Sequence, residues 1–343
     1  MARLATVAHV QALPEQDADV AWPTDEWPQG EPSGDVARLE RALDHFTAQP
    51  PDMGVGLALV VVQGGRLVAE RYGPDTTPDT RLYSWSMAKS ITHALVGIAV
   101  REGRLDIDAP APVPAWAEDD RRAITTRLLL QMRDGLDFVE DYVDAEVSHC
   151  IDMLFGSGRD DVAAYAAARP LAHAPGSTWN YSSGTSNIVA RIVGNAVGDI
   201  VGFMQRELFD PLGMSSAVAR LDGAGTFVGS SFVDATARDF ARFGLLYLRD
   251  GVWDGRRLLP AGWVDDARTF TAHDPDGLFD YGTHWWLWRD RHGSFACHGY
   301  EGQFIVCVPD LDVAIVRLGK TPAELRPANV AHLTDVIESL ATV

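Results

Sequence analysis

Lysine is almost missing from this sequence: only Lys89 and Lys320 occur, and arginine supplies the rest of the 29 basic residues. Cysteine is nearly as scarce, with Cys150, Cys297 and Cys307 far apart and no Cys-x-x-Cys pair. An odd, scattered set of thiols gives no disulfide framework and no cysteine zinc site, and a reducing cytoplasm is its simplest setting. Basic charge is in deficit, since 48 acidic against 29 basic residues leave a formal net charge of −19. Nucleic acid and anionic lipid both require clustered cations, so neither is expected as a partner. No apolar run approaches the ~18 residues of a membrane helix. Ten histidines occur without a His-Glu-x-x-His pair or a tight His/Asp cluster, so no metal is expected. Gly-x-Ser-x-Gly, Gly-x-Gly-x-x-Gly and a phosphate loop are absent too, which removes an elbow-type serine triad and a nucleotide cofactor. The start, Met1-Ala2-Arg3 and then Leu4 to Leu13, is faintly like a secretory leader, but it holds His9 and Gln11 and lacks a small-residue cleavage site. A cytoplasmic location is expected, with export left open.

What is present is an ordered globular chain of 343 residues, 46% hydrophobic and 22% charged, long enough for two domains or one core with an inserted lobe. Residues 1–34 carry Pro14, Pro23, Pro28 and Pro32, with Trp22-Pro23 and Trp27-Pro28 five apart. They read as an extended arm pinned to the body by its tryptophans. Val36, Leu39, Leu43 and Phe46 recur at helical spacing behind Asp35 as N-cap. Runs 55–62 and 66–72 are strand-like around Gln63-Gly64-Gly65, a hairpin signal. Ser86 to Arg101 reads as a helix with Ile91, Leu95 and Ile98 on one side and Gly103 as its stop. Further helices are expected over 125–132, 162–168, 186–197 and 201–209, with little strand signal between 105 and 220. Strands return over 284–288, 294–298, 303–308 and 313–318, the last two joined across Pro309 to Asp312, and Val330, Leu333, Ile337 and Leu340 mark a terminal amphipathic helix. Strands from both ends of the chain around a helical block imply an α+β fold: one antiparallel sheet flanked by helices, with an inserted all-α lobe. The division expected is an arm over 1–34, a sheet domain over 35–104 and 220–343, and the helical lobe over 105–219.

The sharpest chemical feature is Ser86-Met87-Ala88-Lys89 at a helix start. Positions i and i+3 share a helix face, so hydroxyl and amine can meet, and a lysine can act as base when burial and charge lower its hold on its proton. With 16 serines and two lysines, chance supplies only about 0.1 such pairs in the chain. Arginine could not accept a serine proton, so a lysine in an arginine-dominated chain is informative. Tyr181-Ser182-Ser183 lies about a hundred residues on, and a tyrosine hydroxyl can pass the proton to a leaving group; a buried tyrosine and an N-cap serine explain the tripeptide equally well by themselves. Cys297-His298-Gly299-Tyr300-Glu301-Gly302-Gln303 lies between two late strands, where glycine permits close backbone approach and an N–H could join that of Ser86 in an oxyanion hole; a plain hairpin turn is the other reading. Trp286 and Trp288 share a strand face, as core or as the lining of an apolar cleft.

From residue 36 onward these features resemble the serine β-lactamase-related family, which takes in class C β-lactamases, DD-peptidases, esterases and nylon-oligomer (6-aminohexanoate-dimer) hydrolases. Ser86 and Lys89 match its first motif, Tyr181 and Ser183 its second. Gly103-Arg104-Leu105-Asp106, residues 129–136, residues 208–214 and Ala237-Arg238-Asp239 are similar as well. Glu140-Asp141-Tyr142-Val143-Asp144 and Gly299-x-x-Gly302-Gln303 most resemble the nylon-oligomer branch. The resemblance implies a β-lactamase/transpeptidase-like fold and an oxyanion hole from the N–H groups of Ser86 and Tyr300. It also implies contact of Tyr142 with a leaving amine and substrate contacts at Ser183, Trp286, His298 and Gly299. Where β-lactamases carry Lys-Thr-Gly to hold a substrate carboxylate, this chain has Cys297-His298-Gly299, so no cation is assured there. The function expected is cofactor-independent hydrolysis of a small amide or ester through an acyl-serine, with a homodimer left open. β-Lactamase or D-amino-acid peptidase activity is one alternative; a non-catalytic binding or sensor module on the same fold is another.

Overall fold

The computed structural model describes residues 10–275 and 277–341; the leader-like start falls mostly outside them. Its centre is an eight-stranded antiparallel sheet, built from β1 (Val55–Gln63), β2 (Arg66–Tyr72), β3 (Ala272–His273), β4 (Phe279–Tyr281), β5 (Trp286–Trp288), β6 (Phe295–Gly299), β7 (Gln303–Val308) and β8 (Val313–Lys320). The spatial order is β2-β1-β8-β7-β6-β5-β4-β3, so the two ends of the chain meet where Val60 pairs with Val316. Both faces of β1 are covered, which explains its unbroken apolar run. Leu59 and Val61 pack with α1 (Val36–Ala48) and the terminal helix Arg326–Leu340, whereas Ala58, Val60 and Val62 face the other layer.

That other layer holds α2 (Ala88–Arg101), which is buried almost all round rather than on one side. It runs between the sheet and the helical segments α3 (Thr126–Leu130), α4 (His149–Phe155), α5 (Val162–Ala167), α6 (Ser183–Val197) and α7 (Ile200–Met204). The helix α8 (Ala237–Leu248) packs on β7 and β8, and the terminal helix is α9. Two tryptophans of the N-terminal segment pack on the body: Trp22 lies 5.0 Å from Trp253, and the Arg242 guanidinium sits 5.4 Å from the Trp27 ring.

Several expected boundaries shift for identifiable reasons. The helix expected over 186–197 begins a turn earlier, because Ser182 caps it by accepting from the Thr185 N–H. The one expected over 125–132 is shorter, with Thr125 as its cap and Met132 at φ +57 beyond its end. The expected 201–209 helix is interrupted by a π turn over Gln205–Phe209; Pro211 lacks the N–H that a regular turn would use. The strand expected from His284 starts at Trp286, since His284 has φ +55 and its ring bonds the Leu130 carbonyl and Ser186. Helices α4 and α8 were not among the expected elements.

Buried histidines set the acid response. Burial lowers the ring pKa of His93, His284, His298 and His332, that of His284 to about 3. In the unfolded chain each ring takes a proton near pH 6.5. The stability these neutral rings confer is full above that pH and is lost as pH falls toward their folded values, because unfolding then takes up protons. Buried Asp134 and half-buried Asp266, with their pKa raised by burial, act in the opposite sense but are two groups against these four. Tm should therefore be lower at pH 5.0 than at pH 7.5 by roughly 5 °C or more. Calorimetry in buffers of differing ionisation enthalpy should show proton uptake on unfolding; a Tm that is constant or rises would contradict this account.

Candidate active site

Ser86 stands in a 3-10 turn, Trp85–Met87, that leads into α2. Trp85 just before it has φ +43, unusual for a bulky residue and costing on the order of 1–3 kcal/mol. Its ring is held by contacts that offset this: the indole N–H donates to Glu301 Oε2 at 3.1 Å, and Phe232 and Tyr300 lie 6.0 and 5.7 Å away. A hydrogen bond of about 1 kcal/mol and two aromatic contacts of about 0.5–1.5 kcal/mol each cover the strain.

Lys89 follows one helical turn later and is 2% exposed. Its Nζ lies 2.9 Å from Ser86 Oγ, 3.0 Å from Ser183 Oγ and 3.0 Å from the Ser230 carbonyl oxygen. An ammonium fills all three acceptors with its three N–H groups. A neutral amine keeps two of them and turns its lone pair to the Ser86 hydroxyl, so either protonation state fits without movement. Ser183 continues the chain, its hydroxyl donating to Glu140 Oε1 at 2.6 Å and its backbone N–H to Glu140 Oε2 at 2.7 Å. The Tyr142 hydroxyl donates to the same Glu140 Oε1 at 2.8 Å. Burial, and then the Glu140 charge, push the Tyr142 pKa well above the usual tyrosine range, although the ring edge is exposed at the cleft mouth.

A cleft of about 550 Å³ opens from Ser86 and is lined by Glu140, Tyr142, Tyr181, Trp286, His298 and Tyr300, among others. The structure thus brings together every site residue expected from sequence. Tyr181 presents its ring to Lys89, with Nζ 4.8 Å from the centroid. Trp286 stacks on His298 at 5.1 Å, on the same sheet face as Trp288, while Trp285 points into the opposite core. The Gly299 backbone does approach closely, but its neighbour is the protein's own chain: a Cβ there would lie 2.5 Å from the Ser84 carbonyl oxygen. That contact seats the end of β6 against the serine turn. Beyond it, the buried Arg317 donates to the Gly302 carbonyl at 2.6 Å, and Gln303 donates to the Tyr300 carbonyl at 3.0 Å. Together they fix the turn that carries Tyr300.

Two residues at this site escaped the sequence reading. Glu140 was visible only as a neighbour of Tyr142. Arg326 lines the cleft from the start of α9, with its Nη2 3.0 Å from His298 Nδ1. The available signal was that Arg326 is the only lysine or arginine in that helix. Among the described residues no cluster of His, Cys, Asp or Glu could hold a metal ion, and no single helix is long and apolar enough to cross a membrane. A hydroxyl on a buried amine, beside a carboxylate-linked serine and tyrosine hydroxyls, is suited to nucleophilic attack with local proton transfer.

Known proteins resemble this chain in sequence and in fold. The sequence model of the Beta-lactamase family matches residues 43–335. The 6-aminohexanoate-dimer hydrolase of Paenarthrobacter ureafaciens is 30% identical over 307 residues, which is 82% of this chain and 78% of that protein. Among solved structures, a Bacillus anthracis protein described as a candidate 6-aminohexanoate-dimer hydrolase superposes with TM-score 0.77 at 21% identity, covering 96% of this chain and 90% of its own. A penicillin-binding protein homologue from Caulobacter crescentus gives TM-score 0.72 at 17% identity, covering 91% and 99%. The expected α+β fold, an antiparallel sheet flanked by helices, is the one these structures share.

Proposed function

The chain belongs to the beta-lactamase family and is a serine hydrolase, and on that footing we propose that it cleaves small amide or ester bonds through an acyl-enzyme on Ser86. The observation that carries this reading is the 2.9 Å contact between Lys89 Nζ and Ser86 Oγ, made by an amine shut away from water. Ser86 Oγ attacks the substrate carbonyl carbon while its proton passes to neutral Lys89. The resulting oxyanion is held by the N–H groups of Ser86 and Tyr300. Tyr181 donates a proton to the leaving amine or alcohol and is replenished from the lysinium, as the carbon–nitrogen or carbon–oxygen bond breaks. Water then attacks the acyl–Ser86 ester, with the same groups in reverse, and the acid departs. Glu140 acts through Ser183: by accepting that hydroxyl's hydrogen bond, it leaves an oxygen lone pair facing Lys89 and stabilises the positive charge that forms. Trp286, His298 and Gly299 line the path of the substrate.

Linear amides enter this proposal because the relative from Paenarthrobacter ureafaciens is named for hydrolysis of a 6-aminohexanoate dimer. A panel of p-nitrophenyl esters and matching amides of graded acyl length tests the reading directly. Hydrolysis of neither kind of bond would overturn it. Within that panel Tyr142 should separate the two bond types. Its raised pKa keeps the phenol protonated at neutral pH, and an amine needs a proton to leave whereas a nitrophenolate does not. Tyr142→Phe should cost amides about tenfold or more in kcat and p-nitrophenyl esters about threefold or less. Equal losses on both would remove Tyr142 from the leaving-group step.

A further inference from the structure

Arg317 carries a charge that no carboxylate neutralises. It stands on β8, between Leu59 of β1 and Phe304 of β7, and is wholly buried. Burying a guanidinium is costly unless a carboxylate pairs with it, and among the described residues none does. Its Nη1 donates to the Gly302 carbonyl at 2.6 Å, and its Nη2 to Thr321 Oγ1 at 2.8 Å and the Met53 carbonyl at 3.3 Å. The Nε–H finds no acceptor among the described residues. Burial alone lowers the pKa, to about 10, so the group is a cation at neutral pH. Room is kept for it: a Cβ on Gly302 or on Gly319 would collide with Nη1.

The guanidinium lies under the turn that presents the Tyr300 N–H. Each carbonyl of that turn is tied down: Tyr300 by Gln303 Nε2 at 3.0 Å, Glu301 by the Thr321 N–H at 3.0 Å, and Gly302 by Arg317. Gln303 and a backbone amide do this without charge, so holding a carbonyl here does not require a cation. The charge itself has another use. When Ser86 attacks, negative charge forms on the substrate oxygen at the Tyr300 end and positive charge on Lys89. The fixed charges have the same polarity: Glu140 reaches the lysine end through Ser183, and Arg317 sits beneath the other. In a dry interior, where little solvent screens it, a charge is felt beyond the groups it touches.

We propose that Arg317 is a positioning residue of the oxyanion hole, aiming the Tyr300 N–H through the Gly302 carbonyl and favouring the tetrahedral anion by its unpaired charge. This rests on reading Ser86 as the nucleophile and Tyr300 as an oxyanion donor. The effect belongs to the transition state, because the neutral carbonyl of a bound substrate gains little from a cation it does not touch.

Arg317→Met, which keeps a long side chain and loses the charge, tests this with p-nitrophenyl butyrate at pH 7.5. Fluorophosphonate labelling of Ser86 counts the active sites, so misfolded chains do not enter the comparison. Per labelled site, kcat should fall about tenfold or more, with KM within about threefold of the wild type. A smaller loss, or a KM that rises in step with the fall in kcat, would overturn the proposal. Where the methionine variant does not fold, Arg317→Lys decides. A lysine buried there without a counterion gives up its proton at lower pH than arginine does. The His332 ring on α9 also feels charge at this position, but burial keeps it neutral above pH 7. The ratio of the lysine variant's kcat to that of the wild type should therefore fall about threefold or more between pH 7 and pH 9, and a constant ratio would overturn the proposal. Should the wild type hydrolyse no ester, the hydrolytic reading fails, and butylboronate reads the oxyanion hole instead. Its boron bonds the Ser86 oxygen as the serine proton passes to Lys89, and the adduct is a tetrahedral anion. Its affinity, followed by tryptophan fluorescence, should drop about tenfold or more in Arg317→Met; a smaller drop would overturn this proposal as well.

Discussion

Ser86→Ala is expected to lower kcat for a short p-nitrophenyl ester by on the order of 10³-fold or more, while leaving the fold intact. The substitution removes one oxygen from a half-buried position at the cleft floor. Lys89 keeps its contacts to Ser183 and the Ser230 carbonyl, so the buried amine is not orphaned and stability should change little. A fluorophosphonate separates nucleophile from bystander. It should label Ser86 and no other serine, because Ser183, although also within 3.0 Å of Lys89, directs its hydroxyl to Glu140. Ser182 is occupied in capping α6. Label on Ser183 by peptide mapping would transfer the acyl-enzyme to that residue and remove Ser86 from the mechanism.

Lys89→Arg should be nearly as inactive as Lys89→Met, both about 10³-fold or more below the wild type in kcat/KM. The methionine keeps the length of the side chain and loses the amine; the arginine keeps the charge and loses the capacity to become a base. A site that needed only a positive charge near Ser86 would tolerate arginine. One that needs a lone pair alternating with a third N–H, as the three acceptors around Nζ require, would not. Circular dichroism and Tm of both variants show whether the pocket still folds around the larger guanidinium. A folded Lys89→Arg enzyme retaining a tenth or more of wild-type kcat/KM would confine the lysine to an electrostatic role.

How much of this was legible in the sequence depends on what each residue's pattern records. Ser86 and Lys89 were visible because a one-turn spacing and a near absence of other lysines are both properties of a string. The β1–β2 hairpin was visible because two glycines interrupt two apolar runs. Helix α8 escaped although its string carries a period, with Arg238, Asp239 and Arg242 on one face and Phe240, Phe243 and Tyr247 opposite; the polar face is itself covered, Arg238 pairing with Glu70 and Arg242 with Asp239. The start of α6 was hidden for a different reason. Its first turn is polar yet buried, with Thr185 bonded to Asp134 and Ser186 to His284, and no local pattern reports a distant partner. Arg326 and Glu140 belong to the same class. They reach the cleft from segments far from Ser86 in sequence, so only the folded chain shows them converging.

That convergence also governs when the protein can become active during its own synthesis. The serine turn is made early, but the strand end it packs against, the Tyr300 turn and Arg326 emerge last, and the edge of β1 not taken by β2 finds its neighbour only in β8. Until then β1 presents an unpaired apolar edge of the kind that recruits other chains. Contacts of such long sequence separation form slowly after loop closure, so the nascent chain spends its most aggregation-prone interval with a nucleophile in place and no site around it. Refolding yield, more than Tm, is where substitutions in β8 should be felt first.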